Sequence, residues 1–112
     1  MCVCLVGHTH VPLIFEAPAA ASVPNPTVRD VTAHLTPDGI PVQLDPNRRY
    51  ICNPGAVGQP RDADPRASYA LLDLDEHSFT VHRVSYDVDA AQAASQDAGL
   101  PGILAERLAV GA

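Results

Sequence analysis

The chain opens on an uninterrupted apolar run, Cys2 to Val6, with β-branched residues and a closing Gly7. Such a run predicts a strand buried on both faces. Val11 to Glu16 predicts a second short strand, which Pro12 restricts to a sheet edge or to a strand's first residues. Ala17 to Pro26 carries Pro18, Pro24 and Pro26 and reads as a surface connection. Asp30–Leu35 and Pro41–Leu44 predict two strands joined by a turn at Pro37-Asp38-Gly39, where Gly accepts a positive φ. Arg49–Cys52 predicts another strand, stopped by Asn53-Pro54-Gly55.

Tyr69–Leu74 is apolar on both faces, which predicts a central position in a sheet. Phe79 and Val81 alternate in one phase, and Val84, Tyr86 and Val88 in the other. The slip near His82 and Arg83 predicts a bulge or a strong twist. Asp75-Glu76-His77-Ser78 reads as the hairpin turn before it. At the end, Asp89 with Gln92 predicts a capped helix that Gly99 stops. Pro101 opens a second helix with Ile103, Leu104 and Leu108 on one face and Gly111 closing it. Strands first and helices last, with no internal repeat, indicate a mixed α/β chain of the α+β kind.

Composition sharpens this picture. A length of 112 residues suits one domain. Hydrophobic residues at 46% and charged residues at 18% argue against disorder. Seven basic residues, all Arg, against 13 acidic ones give a net charge of −6 and no basic cluster, which disfavours a nucleic-acid partner. Three cysteines make no even disulfide framework, so reduced thiols are expected. Cys2 and Cys4 alternate on the opening strand and read as inert core thiols rather than as a metal pair. No secretory leader and no run long enough for a membrane span are visible, which places the protein in the cytoplasm by default. A core strand starting at the first residue suggests that residues 1–112 form a single partial domain whose N-terminal portion lies elsewhere.

The sharpest chemistry is Gly7-His8-Thr9-His10 at the end of the opening strand. In extended backbone, alternate side chains share one face, roughly 6.5–7 Å apart at about 3.3 Å per residue. Two imidazoles so placed suit a pair of ions about 3.5–4 Å apart, the spacing used for hydrolysis at phosphorus. Alone, a His-x-His pair reads better as a surface turn. A second motif, Asn53-Pro54-Gly55-Ala56-Val57-Gly58-Gln59-Pro60-Arg61-Asp62, changes that balance by following another strand with a rigid Gly- and Pro-rich loop.

Together with Ala67-Ser68-Tyr69-Ala70, Arg83-Val84-Ser85-Tyr86-Asp87, Gly99-Leu100-Pro101 and Arg107-Leu108, these segments resemble the C-terminal portion of the calcineurin-like metallophosphoesterases. The similarity is greatest to the small bacterial and archaeal branch, and it runs in order along nearly the whole chain. The resemblance implies a two-sheet β-sandwich flanked by helices, here with two at the C-terminus, and two divalent ions at the strand ends. It implies that His8 and His10 each ligate one ion. Family members also carry Asp-x-His, Gly-Asp-x-x-Asp and Asn-His motifs upstream, and this chain is read as lacking all three.

Without a bridging carboxylate, two histidines cannot hold two divalent ions together against their repulsion. The isolated chain is therefore expected to have little or no hydrolytic activity and weak affinity for one ion. Manganese, iron and zinc all suit imidazole. The complete enzyme would act on phosphate mono- or diesters. Asn53 and Arg61 are the candidate substrate contacts, Arg61 as a bidentate phosphate donor or equally as a salt-bridge partner of Asp62 or Asp64. Ala56 stands where relatives often have Ser, so no hydroxyl role survives there. His34, His77 and His82 read as ordinary strand or turn residues. Sheet faces left bare are expected to self-associate. The alternative reading is a non-catalytic module that binds a metal or a partner.

Overall fold

The computed structural model describes residues 1–112. Seven strands precede two helices: β1 (Cys2–Leu5), β2 (Pro12–Ala17), β3 (Thr32–His34), β4 (Val42–Gln43), β5 (Arg49–Pro54), β6 (Ala67–Asp73), β7 (Ser78–Val84), α1 (Val88–Asp97) and α2 (Gly102–Val110). One 3-10 turn, Val28–Asp30, leads into β3 and went unread in the sequence. The strands form a four-stranded sheet in the order β1-β5-β2-β3 and a three-stranded sheet in the order β4-β7-β6. Only β1 and β5 pair in parallel, with Leu5 opposite Cys52.

The core lies between the sheets. Ile14, Tyr50 and Cys52 from the first sheet meet Phe79 and Val81 from the second, with Leu44 between them. Alternation explains this: Ile14 is fully buried while its neighbour Phe15 on the opposite face is 41% exposed. The two-sheet α+β architecture expected from the sequence is therefore the one observed. Pro12 is the first residue of β2, which pairs with β3 on one side and β5 on the other. Its missing N–H is tolerated at that position.

Several strands sit differently from their prediction. β1 is an edge strand, and Cys2, Cys4 and Leu5 are exposed rather than buried. Apolar residues on both faces reported that two faces are coverable, but nothing in this chain covers the outer one. The same holds for β6, an edge strand on which Tyr69 and Leu71 face outward at 44% and 59% exposure. β3 and β4 do not form a hairpin with each other. They belong to different sheets, and the turn in which Ile40 N–H bonds Pro37 O at 3.2 Å carries the chain across the sandwich.

No bulge interrupts β7, whose register with β6 runs unbroken from Ser78 to Val84. Val84 ends the strand, and the phase change downstream belongs to the connection into α1. That helix is capped by Asp87, which accepts the Ala90 N–H, and not by Asp89. Gln92 is left free to donate to Ala105 O at 2.9 Å, tying α1 to α2. Of the predicted α2 face only Leu108 is buried, together with Ala105, whereas Ile103 is 59% exposed.

The molecule is elongated, 53 × 27 × 18 Å, with a radius of gyration of 16.6 Å. A compact chain of this length has about 13 Å. Only 13 of 112 residues are buried, so much apolar surface is left to water. One uncovered patch is the outer face of the first sheet, where Cys2, Cys4, Phe15, Ile51 and Val31 line an apolar hollow of ≈ 290 Å³.

Two outcomes follow. In native protein Cys2 and Cys4 react promptly with an aromatic disulfide reagent. Cys52 reacts only after denaturation, since burial removes access and pushes its thiol up to about 11; three equally fast thiols would contradict this packing. Gly111 has φ +66°, and a Cβ there would lie 2.6 Å from the Asp64 carbonyl carbon. Gly111→Ala should therefore lower stability by about 2 kcal/mol or more in urea unfolding. Gly102→Ala, where the nearest atom is 4.0 Å away, should stay within about 1 kcal/mol.

Candidate metal-ligand site

Parallel strands end at the same side of a sheet, and ligand sites of α/β folds collect at such ends. The parallel pairing of β1 with β5 therefore delivers the 7–10 turn and the 53–62 loop to one place. The two motifs that stand 43 residues apart in sequence (His10 to Asn53) become neighbours. His10 Nδ1 lies 2.8 Å from Gln59 O, and Arg61 N–H donates to His10 O at 3.2 Å.

The backbone of the histidine turn is not extended. His8 has φ +72° and His10 φ +62°, both left-handed. The expectation of alternating side chains on a straight strand is thus replaced by a tight turn in which Thr9 N–H bonds Gly7 O at 2.9 Å across His8. Left-handed residues other than Gly cost on the order of 1–3 kcal/mol each and persist where their surroundings over-determine them. Here Asn53, 4% exposed, donates to Gly7 O at 2.9 Å and to Thr9 Oγ1 at 2.8 Å. Its Oδ1 accepts the Gly55 N–H at 2.9 Å. Thr9 and Gln59 were not singled out by sequence, and the Gln59 contact left no signal there because a main-chain carbonyl makes it.

Gly55 has φ +87°, and a Cβ on it would meet Ser68 Oγ at 2.8 Å and Pro12 Cδ at 3.2 Å. Ser68 N–H donates to Ala56 O at 2.9 Å. The loop is in this way pinned between the first sheet and β6. Ion pairs hold its far end. Asp62 pairs with Arg83, whose side chain is only 7% exposed. Asp64 pairs with Arg66 at 2.7 Å, and Arg66 with Asp38 at 2.8 Å. Both acids offered to Arg61 are thus engaged by other arginines, and the exposed Arg61 guanidinium meets only Gln59 Oε1 at 3.0 Å.

An Asp-x-His spacing does occur once, contrary to the sequence reading, at Asp75-Glu76-His77. It forms the β6–β7 hairpin turn, where His77 O accepts the Leu44 N–H. No group of three or more His, Cys, Asp or Glu side chains is positioned to share an ion. His8 and His10 thus offer two imidazoles without a carboxylate, which does not amount to a two-ion centre. His34 bonds Glu16 at 2.9 Å and His82 stacks on Tyr69 with ring centroids 5.1 Å apart, so both have structural partners. No helix is long and apolar enough to cross a membrane.

Two sheets followed by a C-terminal helix pair, with both loops at one sheet end, make this the fold of the C-terminal part of a metallophosphoesterase. The comparison that carries this is the crystal structure of a metallophosphoesterase from Sphaerobacter thermophilus, with TM-score 0.80 and 45% identity over 98% of this chain. An uncharacterized protein of Methanocaldococcus jannaschii is 34% identical over 106 residues, 95% of this chain. The chain spans 42% and 38% of the lengths of these two proteins. No family model matches it.

The ion pairs predict an acid response. A hydrogen bond from Arg66 holds the Asp64 carboxyl below its usual 3.8, and the Arg83 main-chain N–H does the same for Asp38. With folded values below unfolded ones, their stabilisation is present above about pH 4 and lost as pH falls through the folded values. Urea midpoints should drop more steeply between pH 4 and pH 2 in the native protein than in Asp64→Asn; parallel slopes would exclude this pair as a contributor.

Proposed function

We propose that this chain is the C-terminal portion of a dinuclear-metal phosphoesterase and brings His8 and His10 as ligands, one to each ion, with the carboxylate ligands supplied from outside these residues. Manganese, iron or zinc would suit the imidazoles. The observation that carries the reading is the His10 ring. A carbonyl oxygen only accepts, so Nδ1 facing Gln59 O carries the proton. Nε2 is left as the ligating nitrogen, the arrangement typical of metal-bound histidine. The 45% identity to the Sphaerobacter metallophosphoesterase supports the same reading.

When bound, such ions supply an activated hydroxide and neutralise charge developing on phosphorus. From this chain, Arg61 is the proposed phosphate contact, exposed and main-chain bonded to His10. The substrate class is a phosphate mono- or diester. Asn53 has no free donor for such a substrate, since both its amide protons are engaged within the chain.

A second reading, a non-catalytic module that binds a metal or a partner, is favoured by the donor count: no third ligand joins the two histidines. Size-exclusion chromatography with light scattering separates the two. A fragment with an uncovered apolar face self-associates, whereas an independent module runs as a monomer and melts cooperatively.

The central test is metal analysis of the purified 112-residue chain beside His8→Ala and His10→Ala. At most one zinc or manganese ion per chain should bind, and either substitution should weaken that binding about tenfold or more. Aryl-phosphate and bis-aryl-phosphate hydrolysis with manganese should be undetectable. Unchanged metal affinity in both variants would remove the ligand assignment, and turnover lost in His10→Ala would show that the chain completes a site by itself.

A further inference from the structure

Whatever fixes two imidazoles decides whether they can serve a metal, and β1 does not fix them, because it ends at Leu5. The geometry points to the 53–61 loop as the orienting frame of the histidine turn, with Asn53 as a positioning residue and not a substrate contact. This inference rests on His8 and His10 being metal ligands. An Asn side chain has two N–H donors, and both of Asn53's end on the turn, on Gly7 O at 2.9 Å and on Thr9 Oγ1 at 2.8 Å, one on each side of His8. Gly7 O also accepts the Thr9 N–H at 2.9 Å. Left-handed His8 is thus bracketed by one buried amide.

The same loop grips His10 twice, through its ring at Gln59 O and through its carbonyl at Arg61 N–H. The Gln59 contact selects the ring tautomer, and the Arg61 contact selects the backbone position from which the ring projects. The loop is in turn held against β6 by Ser68 and by Gly55, whose positive φ and lack of a Cβ permit the close approach. Orientation of both imidazoles is therefore transmitted from the second sheet through Asn53 and Gln59.

Asn53→Asp isolates the effect. Its carboxylate keeps an acceptor for the Gly55 N–H but loses both donors to the turn. The readouts are zinc titration and the imidazole nitrogen shifts of histidine-labelled 112-residue chain, with thermal melting to verify folding. In the native chain His10 should carry its proton on Nδ1, and zinc should bind at the histidine turn. Asn53→Asp should melt as a folded protein, bind zinc about tenfold or more weakly, and show His10 averaging between tautomers. His10 protonated at Nε2 in the native chain overturns the inference, a result independent of how any variant folds. So does a zinc affinity within twofold of native in folded Asn53→Asp. Absence of zinc binding in the native chain would instead sink the metal reading, and the tautomer measurement would then decide the positioning claim alone.

Discussion

Pairing β1 in parallel with β5 is the constraint from which the rest of the site follows. An antiparallel partner would have sent the two loops to opposite ends of the sheet. In parallel register, Leu5 lies opposite Cys52, and both strands release their loops on the same side. The buried Asn53 amide then has the Gly7–Thr9 turn within hydrogen-bond reach. Parallel pairs require a long connection, and here the residues between β1 and β5 fill it with β2, β3 and β4. Those strands contribute Ile14 to one sheet and carry the chain to the other, so the connection also builds the core.

The energetic logic of the turn is one of compensation. Two left-handed histidines oppose folding by a few kcal/mol together. Buried hydrogen bonds contribute about 0.5–1.5 kcal/mol each, and the turn has Asn53 making two, Gln59 one and Arg61 one. The balance is close, and it depends on a loop whose far end is secured by Arg83 and Arg66. That explains why two arginines far from the histidines in sequence belong to the same structural unit.

The sequence disclosed chemistry better than placement. Gly, His and Pro mark the 7–12 and 53–60 loops by residue type, and their neighbourhood was inferred through family likeness because no local signal encodes a contact across 43 positions (His10 to Asn53). Gly39, Gly99 and Gly111 were legible as turn or stop residues because each adopts a positive φ. What failed was anything that depends on neighbours. Cys2, Cys4, Tyr69 and Leu71 are apolar in a way that suits coverage on both faces, yet periodicity cannot say whether a covering element is at hand. The Pro37-Asp38-Gly39 turn likewise reports a reversal and not the sheet that receives the next strand. The left-handed histidines were invisible because an extended reading of His-x-His is the simpler one.

The helical end hangs from the sandwich by few attachments. α1 buries no residue and α2 buries two. Beyond the covalent link at 85–87, one attachment is the latch of Gly111 onto residues 63–64, with Ala63 N–H bonding Gly111 O at 2.9 Å. Local stability in proteins follows how much each segment buries. The helix pair therefore forms its own cooperative unit, opening at a lower free energy than the sheets, and its amides would exchange with deuterium while those of β5 remain protected. Because the latch grips the end of the 53–64 loop, each such opening also slackens the support beneath the histidine turn.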